Sequence, residues 1–231
     1  MFAAHPSPWH SHALQRLADG PAEPLVPPSR MEWTPHRGHG PGAELLGTRL
    51  HGKRALELGC GPGHNAAHLS HHHGVQATAI DLVGLQIRRA RSHYGHIPHL
   101  TFSAGHALHY LHAAQEPFDA IYSVFGAIGL VAPELLLPAA ADCLTDRGLL
   151  AFAAPHPRRR GGTPEPGVSP SRDLLTLPDR SRLPIVRWDL EATAWSHHLH
   201  RAGLRQITSQ TVSHPGGSRR PTTLLITARK T

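Results

Sequence analysis

The stretch Glu57-Leu58-Gly59-Cys60-Gly61-Pro62-Gly63 closes a short apolar run, Arg54 to Leu58, with glycines at alternate positions. Glycines placed there allow a sharp turn and put no side chain between the backbone and a ligand. Helical character follows from His64 to His73, so the turn offers unpaired helix N-terminal amides to whatever lies in front of it. Eighteen residues beyond Gly63 stands Asp81, which closes a second apolar run, Ala77 to Ile80. A carboxylate there can accept hydrogen bonds from both ribose hydroxyls of an adenosine-containing cofactor. Loop and acid at this separation are far more specific together than either is alone.

Other residues invite chemistry less strongly. His156 follows the apolar run Leu149 to Ala154, at the sheet edge where open α/β folds bind ligands, and is the candidate general base. Ser123, Phe125 and Gly126 end another apolar run, and Phe125 and Gly126 are candidates for substrate contact. Trp33 and His36, in the N-terminal arm, are candidates to cover or face the substrate. His64, His68 and His72 fall at helical spacing beside His71 and His73. That helix must pack one face on a sheet, so the stripe is expected on the solvent side, and no metal site is assigned. Gly47 to Arg54 fits a P-loop as far as Lys53, but Arg54 stands where a magnesium-holding hydroxyl belongs and the segment precedes its strand. It is read as a chance match.

The elements that must position these residues read as strands alternating with helices. Strands are expected at 54–58, 77–80, 99–103, 118–124, 149–154, 206–212 and 222–228, and helices at 11–18, 64–73, 85–94, 133–144 and 190–202. This alternation argues for a parallel α/β sheet. Residues 1–47 read as a proline-rich arm or lid and 48–231 as the domain proper. The proline- and glycine-rich segment near 156–184 reads as a loop covering the substrate.

Composition narrows the classes further. The chain has 231 residues and a formal net charge of +7. Its basic residues are dispersed apart from Arg158-Arg159-Arg160, which argues against a nucleic-acid partner. No run of 18 or more apolar residues occurs, and the start lacks a basic segment followed by an apolar one. Two cysteines, Cys60 and Cys143, cannot build a disulfide framework or a four-cysteine zinc site. The expectation is a cytoplasmic protein, monomer or homodimer, acting on a small molecule.

Glu57-x-Gly59-x-Gly61-x-Gly63 resembles the signature loop of class I S-adenosylmethionine-dependent methyltransferases. Ala79-Ile80-Asp81-Leu82 resembles that family's second motif, and Phe118 to Ser123 its fourth-strand motif. Leu144 to Phe152 resembles the turn and fifth strand, and Arg37 to Gly42 the entry segment of small-molecule members. The resemblance implies a Rossmann-like, seven-stranded, mainly parallel sheet with an antiparallel last strand and helices on both faces. It also implies that S-adenosyl-L-methionine, leaving as S-adenosyl-L-homocysteine, is held by Glu57, Gly59, Cys60, Gly61, Gly63, Asp81, Leu82, Gln86, Gly105, His106, Ala107, Ser123 and Val124. His106 stands where the family often has an acid for the adenine. The implied activity is methyl transfer to N or O of a small metabolite or short peptide, as in natural-product biosynthesis. A dinucleotide-dependent oxidoreductase and a non-catalytic adenosyl-binding protein are the alternatives; the position of Gly63 disfavours the first.

Overall fold

A computed structural model describes residues 7–17, 25–159, 170–216 and 220–231. Their elements are α1 (Pro8–Leu17), β1 (Arg54–Leu58), α2 (His64–His73), β2 (Gln76–Asp81), α3 (Gly84–Tyr94), β3 (Leu100–Ala104), α4 (Ala107–Ala113), β4 (Phe118–Val124), α5 (Pro133–Asp142), β5 (Leu144–Pro155), β6 (Ser171–Thr176), β7 (Arg182–Arg187), α6 (Ala192–Arg201), β8 (Leu204–Ser213) and β9 (Pro221–Lys230). A seven-stranded sheet runs in the order β3-β2-β1-β4-β5-β9-β8. The first five strands are parallel, and β9 enters antiparallel between β5 and β8.

The two-residue period of strands builds the core on both faces of this sheet. Along β1 and β5, Leu56, Leu58, Leu150, Phe152 and Ala154 join the core layer that contains residues of α4, α5 and α6. Ala55, Leu149, Ala151 and Ala153 join the layer that contains residues of α2 and α3. Met31 and Trp33, from the segment read as a lid, are fully buried in this second layer. The arm is therefore core over part of its length. Strand order reverses at β1, between β2 and β4, which opens a crevice at the carboxyl ends of the strands.

Two elements differ from the expected pattern. Inside the segment read as a loop, β6 and β7 form a separate antiparallel hairpin. Its inward residue Asp173 is a buried carboxylate and Pro184 sits within β7, so hydrophobic alternation and strand propensity were both obscured. Asp173 is neutralised by Arg159 at 2.7 Å and Arg187 at 3.2 Å, while Asp189 takes Arg159 at 2.8 Å. Helix α4 is the other addition, started by His106, whose Nδ1 accepts from the Leu108 amide at 3.2 Å. Histidine is an uncommon cap, so the start was not legible. The first helix begins at Pro8 and is described to Leu17; Ala18, included in the expectation, lies outside the described residues.

Candidate active site

The carboxyl end of β1 turns at Gly59, whose amide and that of Cys60 both donate to the Ile80 carbonyl at 2.9 Å. This lashes the glycine loop to β2. Gly59 has φ +80°, and a Cβ there would lie 2.7 Å from the Ala127 amide nitrogen. Gly63 is glycine for packing rather than ligand contact: a Cβ would lie 2.5 Å from the Phe102 ring, and the residue is absent from the cavity wall. It was expected at the cofactor, and the correction is that it lets α2 approach the sheet.

Asp81 closes β2 with both carboxylate oxygens anchored. Oδ2 accepts from the Gly61 amide and Oδ1 from the Val83 amide, each at 2.8 Å. Burial raises its pKa while these two amides oppose the shift. Each oxygen retains acceptor capacity, and the residue faces the cavity. Glu57 lies deeper; Tyr122 donates its hydroxyl to Oε2 at 3.1 Å. Loss of water pushes its pKa up to about 8, against the hydrogen bond from Tyr122 and one from the Ala66 backbone.

In front of these acids lies a cavity of about 1610 Å³. Its floor includes Glu57, Gly59, Cys60, Gly61, Asp81, Leu82, Gln86, Gly105, His106, Ala107, Val124, Phe125 and Gly126, so most of the expected residues share one wall. Phe125 holds φ +50°, a left-handed conformation uncommon for an aromatic residue, and its amide donates to Ala153 at 2.9 Å. Ser123 does not reach the cavity. Its hydroxyl donates to the Leu58 carbonyl at 2.7 Å and accepts from the Ile128 amide, tying β4 to β1.

Three more expectations are corrected. Trp33 is fully buried, donates from Nε1 to the Gly42 carbonyl at 2.9 Å and meets Tyr122 edge-on. It is core, because an indole that large gains most by leaving water. His36 packs against His214 with centroids 4.4 Å apart, off the cavity wall. His156 is buried behind the wall: its amide donates to Thr222 and its Nδ1 accepts from the Arg158 amide at 3.1 Å. Burial, reinforced by Arg158 and Arg159 and opposed by Glu191, lowers its pKa. It caps a turn and does not face a substrate.

The sequence pointed to the arm and the segment near 156–184 as the cover but did not name the residues that line it. Trp9 and His12 of α1, Arg30, Glu32, Thr34 and Arg37 of the arm, and Arg172, Pro184, Ile185 and Val186 of the hairpin complete the cavity. No periodicity marks them, since they converge from distant segments. His64 and Tyr94 also join the wall, with His64 Nδ1 at 2.7 Å from the Tyr94 hydroxyl. Although His64 is an exposed residue, desolvation and the charges of Arg89, His93 and Arg37 lower its pKa to about 4.

The histidine stripe is not wholly solvent-facing. His68 is buried and its Nδ1 lies 2.8 Å from the Pro28 carbonyl, joining α2 to the arm. Among the described residues no group of three or more His, Cys, Asp or Glu is arranged to hold a metal ion. In the run Arg158 to Arg160, Arg158 stays exposed and pairs with Glu191, whereas Arg159 is drawn inward to Asp173 and Asp189; Arg160 lies outside the described residues.

A switch-point crevice, a glycine turn, an acid ending β2 and an inserted antiparallel strand define the class I methyltransferase fold. Residues 55–148 match the family described as "Methyltransferase domain". Solved structures share the fold. An S-adenosylmethionine-dependent methyltransferase from Mesorhizobium loti has 20% identity and a TM-score of 0.61, over 81% of this chain and 95% of that one. Phosphoethanolamine N-methyltransferase 2 of Haemonchus contortus, in complex with S-adenosyl-L-methionine, has 14% identity and a TM-score of 0.60, over 81% and 50%. The glycopeptide N-methyltransferase MtfA has 18% identity and a TM-score of 0.56, over 77% and 89%. No curated protein matches the chain. Among the described residues no helix is long and apolar enough to cross a membrane.

Proposed function

We propose that the protein transfers the methyl group of S-adenosylmethionine to a nitrogen or oxygen of a small molecule. The observation that carries this reading is the placement of Asp81 and the glycine loop on the floor of one large cavity whose roof is made of side chains. Asp81 holds the ribose hydroxyls, and the glycine-loop backbone lies along the methionine portion. His106, with Nδ1 occupied by the Leu108 amide, keeps its proton on Nε2 and presents a donor to the adenine. The acceptor's lone pair forms the new bond to the methyl carbon. The carbon–sulfur bond breaks, sulfur keeps the electron pair, and S-adenosylhomocysteine leaves.

The sulfonium supplies the electrophile, so the chain's residues orient the partners, exclude water and receive a proton. His12, His64 and His106 are the imidazoles of the wall. Desolvation lowers the pKa of His12 and takes that of His64 to about 4, which makes His64 a poor proton acceptor near pH 7 and leaves His12 as the candidate for that last task. MtfA acts, by its description, on a glycopeptide nitrogen, which supports a natural-product setting and a nitrogen acceptor for this reading. Calorimetric titration with S-adenosylhomocysteine, with NADH in parallel, tests it. Saturable binding of the first alone is expected; binding of NADH alone transfers the site to hydride chemistry.

A further inference from the structure

We infer that the methyl acceptor is an amphiphilic anion, a molecule with an apolar body and a carboxylate-, sulfonate- or phosphate-type group that Arg172 binds. This rests on the methyl-transfer reading for the word acceptor, but the recognition chemistry comes from the roof alone. Val26, at 89% exposure, and Val186, at 56%, are among the most exposed large apolar side chains, and both line the cavity. In the hairpin, Arg172 stands opposite Val186 and Leu174 opposite Pro184, so these four share one face. The other face carries Asp173 and Ile185, both buried, with Ile185 reaching the edge of the cavity. The open face continues to Thr176 opposite Arg182 at the turn end, and the part of it that lines the cavity, Arg172, Pro184 and Val186, is apolar with one cation. Water on such a surface is released favourably when an apolar ligand covers it.

The charges divide in the same way. Asp81 belongs to the floor, where the cationic co-substrate would lie, and Glu57 of the same floor is kept protonated by burial. Glu32 accepts from the Gly38 amide at 2.8 Å and lies 3.9 Å from Arg30. Arg37 acts on His64, which follows the glycine loop. Asp173, adjacent to Arg172 in sequence, points to the opposite face and is occupied by Arg159 and Arg187. Arg172 has no carboxylate partner among the described residues. An unpaired guanidinium beside apolar side chains favours an anion through charge-assisted, two-point hydrogen bonding. The anion takes no part in bond making and serves as a handle.

Two fluorescent probes of similar shape separate the contributions: 8-anilinonaphthalene-1-sulfonate, which is anionic, and N-phenyl-1-naphthylamine, which is neutral. The wild-type protein is expected to bind the sulfonate more tightly. Arg172→Ala should weaken the sulfonate about tenfold, the effect of one charge-assisted contact, and leave the neutral probe unchanged. Arg172→Lys should retain part of the preference, and Val186→Asp should weaken both probes, which places them on this face. Equal sulfonate affinity in wild type and Arg172→Ala, or an equal loss for both probes, overturns the proposal; so does insensitivity to Val186→Asp. Titrating each variant with S-adenosylhomocysteine separates the two readings. Loss of that binding in the wild type removes methyl transfer while leaving the probe result to stand or fall by itself.

Discussion

Along the floor of the cavity, at the ends of β1, β2 and β4, glycines form the turn and the two acidic side chains are already tied down. Gly59 and Cys60 hang from Ile80, Asp81 is held by two amides, and Glu57 takes the Tyr122 hydroxyl. Across the cavity, α1, the arm and the β6–β7 hairpin contribute side chains, several exposed and apolar. Gln15 of α1 and Asp179 of the hairpin turn exchange hydrogen bonds of 2.8 and 3.2 Å at the surface. The contrast separates what must stay fixed from what is free to vary. A floor made of strand ends presents one geometry to one co-substrate, whereas a roof made of side chains can be changed residue by residue without disturbing the sheet.

The contrast can be broken from the floor first. Gly59→Ala introduces a Cβ at φ +80° against the Ala127 and Gly126 backbone, atoms that cannot turn aside. It should cost about 3–5 kcal/mol in urea unfolding and abolish S-adenosylhomocysteine binding. A stable, binding variant would mean that the floor yields as readily as the roof.

Glu57 gives a smaller effect with a distinct pH signature. Its pKa is raised from 4.5 to about 8 in the fold, so the fold favours the protonated carboxyl. The associated stability is fully present below pH 4.5 and is lost as the pH rises through about 8. Glu57→Gln keeps a neutral group at every pH. Compared with wild type, it should gain about 2–4 kcal/mol between mildly acidic and mildly alkaline conditions, measured by unfolding across that range. A pH-independent difference would show that Glu57 is not desolvated as the geometry requires.

Asp81→Ala sharpens the comparison by removing a floor contact while leaving the strand in place. S-adenosylhomocysteine should bind about 1–3 kcal/mol more weakly, the cost of lost charge-assisted hydrogen bonds; unchanged affinity would remove Asp81 from the site. The smallest effect is expected at the roof. Gln15→Ala should leave S-adenosylhomocysteine affinity unchanged and speed amide hydrogen exchange in α1, because it cuts a surface tether. Weaker cofactor-product binding in that variant would show that roof and floor are coupled.

Much of the floor was readable from the chain because its constraints are local. A strand of apolar residues, glycines that permit the turn and an acid at a fixed distance all lie within Arg54 to Asp81. Their period and spacing imply one strand–turn–helix–strand unit, and the parallel order around β1 follows from it. The same locality misled at Gly63 and Ser123, because motif position does not reveal whether a residue faces a ligand or its own sheet. Trp33, His36 and His156 could be placed only by packing. Burial of the indole, the His214 contact and the turn beyond β5 are each set by residues far away in sequence. The hairpin was hidden for a related reason: its buried Asp173 is stable only with Arg159 and Arg187 beside it, a pairing that removes the hydrophobic period a strand usually shows. Sequence by itself determined the fold class and the co-substrate floor, since both arise from short-range backbone preference and periodic burial. The roof was decided by tertiary structure, because its residues become neighbours only when segments more than a hundred residues apart, α1 and β7, pack together.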